Sequence, residues 1–210
     1  MLVTVVIPAF NEENYLGGVL EPLKSIPEIT QIIVVSDGST DGTVQVARNW
    51  GVEVIDLPQN LGKGGAMSMG VKAAREDIIL FLDADLIGLK VEHVRSLIYP
   101  VLNNQADMTV GVFEGGRLAT DVAQLIAPFL SGQRCIKKYW LEQIGNLESM
   151  RFGVETAITQ FAYENNLRIM EVELPAMSHV MKEEKLGFVK GFAYRLKMYW
   201  EIAKNVRLGG

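Results

Sequence analysis

Over the first 85 residues, apolar runs and single helical stretches take turns. The runs lie at 4–10, 31–38, 52–58 and 77–85, and the stretches between them at 12–26, 40–51 and 63–76. The first helical stretch places Leu16, Val19, Leu20 and Leu23 on one face. A run without polar alternation reads as a strand buried on both faces. One helix between two such strands makes a right-handed crossover, and the strands it joins are parallel. The pattern therefore predicts an α/β fold: a mostly parallel sheet with helices on both faces. Ligands of such sheets bind beyond the carboxyl ends of the strands. The polar residues found there are Asn11 and Glu12, then Asp37, then Asn60, then Asp83 and Asp85. Parallel order brings all of them to one edge.

After residue 86 the pattern loosens. Helices are expected at 91–104, 118–130 and 152–166, strands at 106–114 and 167–179, and a helical tail at 186–207. No repeat or low-complexity linker interrupts the chain of 210 residues. We expect a domain over 1–184, with halves 1–86 and 87–184, and a basic aromatic helix over 185–210.

Composition removes several classes. A net charge of −5 argues against a nucleic-acid binder. No run approaches the roughly 20 apolar residues that span a bilayer. The N-terminus opens on a strand without a basic region, so no signal peptide is expected. Cys135 is the one cysteine, which rules out an internal disulfide and fits a reducing, cytoplasmic setting.

The pair Asp83-x-Asp85 offers hard oxygen ligands of the kind Mg²⁺ and Mn²⁺ prefer. An aspartate at a strand end also serves as a turn or helix cap. After Asp37, the residues Ser39, Thr40 and Asp41 can fill that capping role without it. The stretch Asn60-Leu61-Gly62-Lys63-Gly64-Gly65 puts a lysine in a glycine-rich turn ahead of a helix, where phosphates bind. It lacks P-loop spacing, and no G-x-G-x-x-G follows the first strand.

Four motifs in this order, VVIPAFNEE, VVSDGSTDGT, NLGKGGAM and LFLDADL, resemble the donor half of family 2-type glycosyltransferases with the GT-A fold. The resemblance implies a Rossmann-like sheet and a nucleotide-sugar donor, UDP- or GDP-linked. Glu12 and Asp37 would hold the nucleoside, with Pro8, Ala9 and Asn11 in the same donor site. Lys63 would lie near the diphosphate. Asp83 would serve the sugar, and Asp85 a Mg²⁺ or Mn²⁺ ion.

The second half is similar to glucosyl-3-phosphoglycerate synthases and related mannosyl enzymes. That likeness implies an acceptor grip at Gly116 and Arg117, a turn ending in Arg134, an acidic residue at Glu155, and a metal-completing histidine at His179. The threonine expected two residues after Arg117 comes one late, at Thr120. The turn Ser131-Gly132-Gln133-Arg134 also fits polyprenyl-phosphate sugar transferases. The expected activity is metal-dependent hexosyl transfer to a small phosphorylated acceptor such as 3-phosphoglycerate, or to a polyprenyl phosphate at the inner membrane face. Arg117 and Arg134 would meet either anion. Two other classes are a nucleotidyltransferase and a non-catalytic nucleotide-sugar binder. The former usually carries a glycine-rich loop where this chain has PAFNEE.

Asp85, Glu155 and Arg134 are the expected catalytic residues. Glu155 is the candidate base if the reaction inverts. If it retains, the leaving diphosphate would take the acceptor proton. His93 falls mid-helix and is expected at the surface. The tail mixes six cations (Lys185, Lys190, Arg195, Lys197, Lys204 and Arg207) with aromatic residues. It would pack on the core or a second subunit in a homodimer, or lie on anionic lipid.

Overall fold

A computed structural model describes residues 1–113, 131–145, 147 and 153–179, the last of these as backbone alone. Contacts divide the chain into two units, Met1–Ser178 and His179–Gly210. The expected helix at 118–130, Gly116, Arg117 and the basic tail all lie outside the described residues.

The strands are β1 (Val3–Ala9), β2 (Ile29–Ser36), β3 (Glu53–Asp56), β4 (Ile78–Phe81), β5 (Leu86–Ile87), β6 (Met108–Phe113), β7 (Arg134–Lys137), β8 (Ile169–Leu174) and β9 (Ser178–His179). The helices are α1 (Leu16–Leu23), α2 (Thr43–Asn49), α3 (Lys63–Ala73), α4 (Val91–Leu102), α5 (Lys138–Gln143) and α6 (Val154–Glu164). Seven strands form one sheet in the order β3-β2-β1-β4-β7-β6-β8, and β5 pairs with β9. β3, β2, β1 and β4 are mutually parallel, and so are β6 and β8. β7 runs antiparallel between β4 and β6.

The two faces of the sheet are covered as the apolar runs require. Val3, Val5 and Ile7 pack with α1, α2 and α4. Val6, Ile33 and Val35 pack with α3, α5 and α6. Successive residues of β1 thus enter opposite layers, which is why that strand carries no polar alternation.

Three features differ from the sequence reading. β7 and α5 together span Arg134–Gln143, where no periodicity announced them, since a four-residue strand and a six-residue helix are too short to show one. The run at 167–179 is two strands, broken by a turn at Pro175 and Ala176. His93 is buried, 6% exposed, rather than at the surface. It sits in the first turn of α4, where its Nδ1 accepts the Lys90 N–H at 3.2 Å and satisfies a helix-end donor. Burial and the Lys90 charge hold its pKa below the ordinary imidazole value, against the opposing Glu92 and Pro175 carbonyl.

The outer strand β8 is fastened at its start. Asp107 Oδ2 accepts from the Arg168 N–H (3.0 Å) and Nε (2.9 Å), and Oδ1 accepts from Nη2 (3.0 Å). Lys137 Nζ lies 3.6 Å from Oδ1. The Arg168 side-chain hydrogen bonds pull the Asp107 carboxyl down to about 2; partial burial opposes them, and the Arg168 and Lys137 charges assist.

Two expectations follow. A carboxylate with a lowered pKa adds stability that is present above its ordinary value and lost as pH falls through its folded value. Asp107→Asn should therefore lower the Tm at neutral pH, and the gap to the parent should narrow between pH 3.8 and about pH 2. Thermal melts across that range measure it; a gap independent of pH would contradict the clamp. Separately, a Cβ on Gly70 of α3 would meet Val6 Cγ1 at 2.3 Å, whereas one on exposed Gly18 of α1 meets nothing within 4 Å. The gain of about 1 kcal/mol from alanine in a helix wins at Gly18. Overpacking by about 1–3 kcal/mol wins at Gly70. Urea denaturation of Gly18→Ala and Gly70→Ala should show shifts of opposite sign.

Candidate active site

The loops after β1 and β2 are tied to each other. Asn11 takes a left-handed backbone (φ 58), which asparagine tolerates. From there its Oδ1 accepts the Thr40 N–H at 2.8 Å. The Glu12 N–H donates to Thr43 Oγ1 at 2.8 Å. Asp41 accepts the Thr43 N–H at 3.0 Å, so the turn after β2 is closed by it. Burial raises the Asp41 pKa, but the Thr43 hydroxyl and N–H bonds and the Glu13 N–H outweigh it and hold it low.

That arrangement leaves Asp37 to a different task. It is buried, 4% exposed, and its Oδ1 accepts the Leu61 N–H at 2.7 Å. Asn60 Nδ2 donates to its carbonyl at 3.1 Å. Gly38 follows with φ +72, and a Cβ there would lie 2.8 Å from the Asn60 nitrogen, so only glycine allows the two loops this close. Pro8, Ala9, Asn11, Glu12, Asp37 and Asn60 thus share one end of the sheet. Asp37 is linked by hydrogen bonds to the turn that carries Lys63.

Lys63 is the first residue of α3, reached through Gly62 at φ 82. Its ammonium lies between two carboxylates. It pairs with Asp83 Oδ1 at the end of β4, and with Glu155 Oε1 in the first turn of α6 at 2.6 Å. The side chains are 29%, 22% and 14% exposed, so the cluster is half shielded from water. Burial alone would lower the lysine pKa; the Asp83 and Glu155 charges and hydrogen bonds override it and hold it above its ordinary value. Asp85 is also buried, at 5% exposed. The positive charge set against Asp83 is therefore a lysine of the chain itself.

Arg134 begins β7 and is fully buried. Nη2 and Nε donate to the Ser131 carbonyl at 2.6 and 3.2 Å. Nη1 donates to the Glu155 carbonyl at 2.9 Å and to Thr159 Oγ1 at 3.1 Å. Burial pushes its pKa down to about 10, against the Glu155 and Asp83 charges, so it stays cationic at neutral pH. These donors go to the Ser131 and Glu155 carbonyls and the Thr159 hydroxyl, so Arg134 joins the Ser131 turn to α6.

Sequence reasoning missed Gln133. It is 1% exposed, and its Nε2 donates to Asp83 Oδ2 at 2.9 Å. The only signal was a Ser-Gly-Gln-Arg turn ahead of an apolar pair, Cys135 and Ile136. Among the described residues no group of three or more His, Cys, Asp or Glu converges as a metal site. The His179 side chain, expected as a ligand, lies outside them. Asp83 and Glu155 share Lys63, and Asp85 follows Asp83 by two residues in the sequence. Carboxylate oxygens are the ligand type that a hard divalent cation prefers.

The chain is similar to several known proteins. An uncharacterized protein of Methanocaldococcus jannaschii is 30% identical, over 81% of this chain and 79% of its own length. Dolichyl-phosphate beta-glucosyltransferase of Drosophila melanogaster is 41% identical over 39% of this chain, which spans 30% of that relative. Glucosyl-3-phosphoglycerate synthase from Mycobacterium tuberculosis, solved with Mn²⁺ and UDP-glucose, is 26% identical with a TM-score of 0.74, covering 89% of this chain and 74% of that one. The same enzyme solved with phosphoglyceric acid gives 25% identity and a TM-score of 0.74, over 89% and 75% of the two chains. Residues 4–160 match the model of glycosyl transferase family 2. With that match covering most of the chain, and the GT-A sheet and its acidic edge in place, the protein belongs to glycosyl transferase family 2.

Proposed function

We propose that this glycosyltransferase moves a hexose from a UDP- or GDP-linked sugar to a small phosphorylated acceptor such as 3-phosphoglycerate, with Mg²⁺ or Mn²⁺. The observation that carries the reading is the Asp83–Lys63–Glu155 cluster beside Asp85, at the end of the sheet where such folds bind ligands. The neighbour solved with Mn²⁺ and UDP-glucose supports the donor, and the one solved with phosphoglyceric acid supports the acceptor.

In this reading Glu12 and Asp37 hold the nucleoside. Asp85 would hold the metal, with His179 as its second ligand. A bound divalent cation would supply charge stabilisation to the departing diphosphate. Lys63 adds a fixed positive charge on the same side, already oriented before substrate arrives. Asp83 faces the sugar. Glu155 has Oε1 on Lys63, and in an inverting reaction its carboxylate would take the acceptor proton. Arg134 keeps Glu155 in place through its carbonyl. Gly116 and Arg117 would grip the acceptor.

A polyprenyl phosphate is the second reading for the acceptor, favoured by the dolichyl-phosphate relative. Among the described residues no helix is long and apolar enough to cross a membrane. That reading would bring the enzyme to the lipid surface through its basic tail, outside the described residues.

Release of nucleoside diphosphate tests both. Purified protein with UDP-glucose or GDP-mannose and Mn²⁺ should release diphosphate when 3-phosphoglycerate is added, and stop on chelation. Release with undecaprenyl phosphate alone would move the assignment to the lipid acceptor, and pyrophosphate release would move it to a nucleotidyltransferase. Asp85→Ala should lower turnover by about 100-fold or more, the loss of several kcal/mol of charge stabilisation, with an unchanged circular dichroism spectrum. Undiminished turnover in that variant would contradict the metal role.

A further inference from the structure

We propose that Gln133 is a positioning residue that fixes the plane of the Asp83 carboxylate for the donor sugar, and that the Ser131-Gly132 turn is built around that task. The inference rests on the donor reading above and concerns a residue outside it.

The outer torsion of an aspartate is soft and broad, so a single partner leaves its carboxylate free to turn. Lys63 holds Oδ1 only, through a long flexible chain. Gln133 holds the other oxygen, Oδ2, at 2.9 Å. Two donors on two oxygens, arriving from α3 and from the turn ahead of β7, define a plane that neither sets alone.

The glutamine is itself held. Ser131 Oγ donates to Gln133 Oε1 at 3.2 Å and accepts the Gln133 N–H at 3.3 Å. An ionised carboxylate only accepts, so Nε2 is the end that meets Asp83, and Oε1 is the end left to the Ser131 hydroxyl. The Ser131 carbonyl is gripped by Arg134, which also grips α6. A fully buried cation thus anchors the turn, the turn orients the amide, and the amide orients the carboxylate.

Gly132 completes the fit. A Cβ there would lie 2.4 Å from Asp83 Oδ2, 2.6 Å from Oδ1 and 2.7 Å from Cγ. The carboxylate therefore lies flat against that backbone, and any side chain at 132 would displace it. The neutrality of glutamine matters as well. Asp83, Asp85 and Glu155 outnumber Lys63 and Arg134 by one charge. A cation at 133 would cancel the surplus that favours a divalent ion, and a carboxylate there would repel Asp83 at hydrogen-bond distance.

The consequence is a division of labour within the acidic pair. Asp83 is committed to chain donors on both oxygens and oriented toward the sugar, and metal ligation falls to Asp85. Loss of Gln133 should then harm recognition of the sugar and leave recognition of the nucleoside diphosphate intact. A role in general stability would weaken both together.

The test uses the full chain as parent, Gln133→Met and Gly132→Ala, which reach the same carboxylate from the side chain and from the backbone. Thermal shift is measured with Mn²⁺ and each of UDP, UDP-glucose, GDP and GDP-mannose, since a ligand of the folded state raises the Tm by mass action. We expect UDP or GDP to stabilise all three proteins alike. The extra shift of the sugar-linked form over its parent diphosphate should appear in the parent protein and vanish in both variants. kcat should fall by about 10- to 100-fold, as for a reacting group misplaced by a fraction of an ångström. Crystal structures of the unliganded variants should show the Asp83 carboxylate turned. Variants that keep the sugar-dependent shift and the parent carboxylate plane would overturn the proposal. If no sugar nucleotide stabilises the parent, the donor reading fails, and the unliganded structures still decide whether Gln133 orients Asp83.

Discussion

Everything in the site leans on one ammonium group between two carboxylates. Taking Asp83 and Glu155 out of water together would cost several kcal/mol per charge without a partner. Lys63 supplies it to both. The arrangement runs against local preference, because a cation in the first turn of a helix opposes the helix dipole by about 0.3–1 kcal/mol. No acidic residue stands in the first turn of α3 to offset it. The compensation comes from other elements, the end of β4 and the start of α6. Local strain resolved by distant partners is a mark of a functional cluster.

The sheet explains why those partners meet. β1, β2, β3 and β4 are parallel, so each delivers its closing polar residues to the same end. β7, running the other way beside β4, starts where β4 finishes, with Phe81 opposite Arg134. An antiparallel strand at that place brings its N-terminal turn, Ser131 to Gln133, to the acidic end of a parallel neighbour. Arg134 then fixes the turn to α6. The buried guanidinium is a scaffold bolt.

Much of this was legible in the chain before any coordinates. The uninterrupted apolar runs forced a two-faced parallel sheet, and the order of strands placed Glu12, Asp37, Asp83 and Asp85 on one edge. The glycine-rich turn marked Lys63 because such turns expose a helix end. Other parts were hidden for physical reasons. β7 and α5 are too short for periodicity to register. The burial of Arg134 depends on contacts with Glu155 and Thr159, more than 20 residues away in sequence. His93 looked like a mid-helix surface residue because the cap it forms depends on where α4 begins, and that start has no serine, threonine or aspartate to announce it. Gln133 gave almost no sign, since an amide owes its meaning to what it faces.

The central claim is that Lys63 couples Asp83 on the sheet to Glu155 on α6 in one charge cluster. A double-mutant cycle on Lys63 and Glu155, with Lys63→Met, Glu155→Gln and the double variant, reads that coupling through urea denaturation. A half-buried, charge-assisted pair should show an interaction of about 1 kcal/mol or more. Additivity within about 0.3 kcal/mol would mean that the two residues do not act together and would contradict the account.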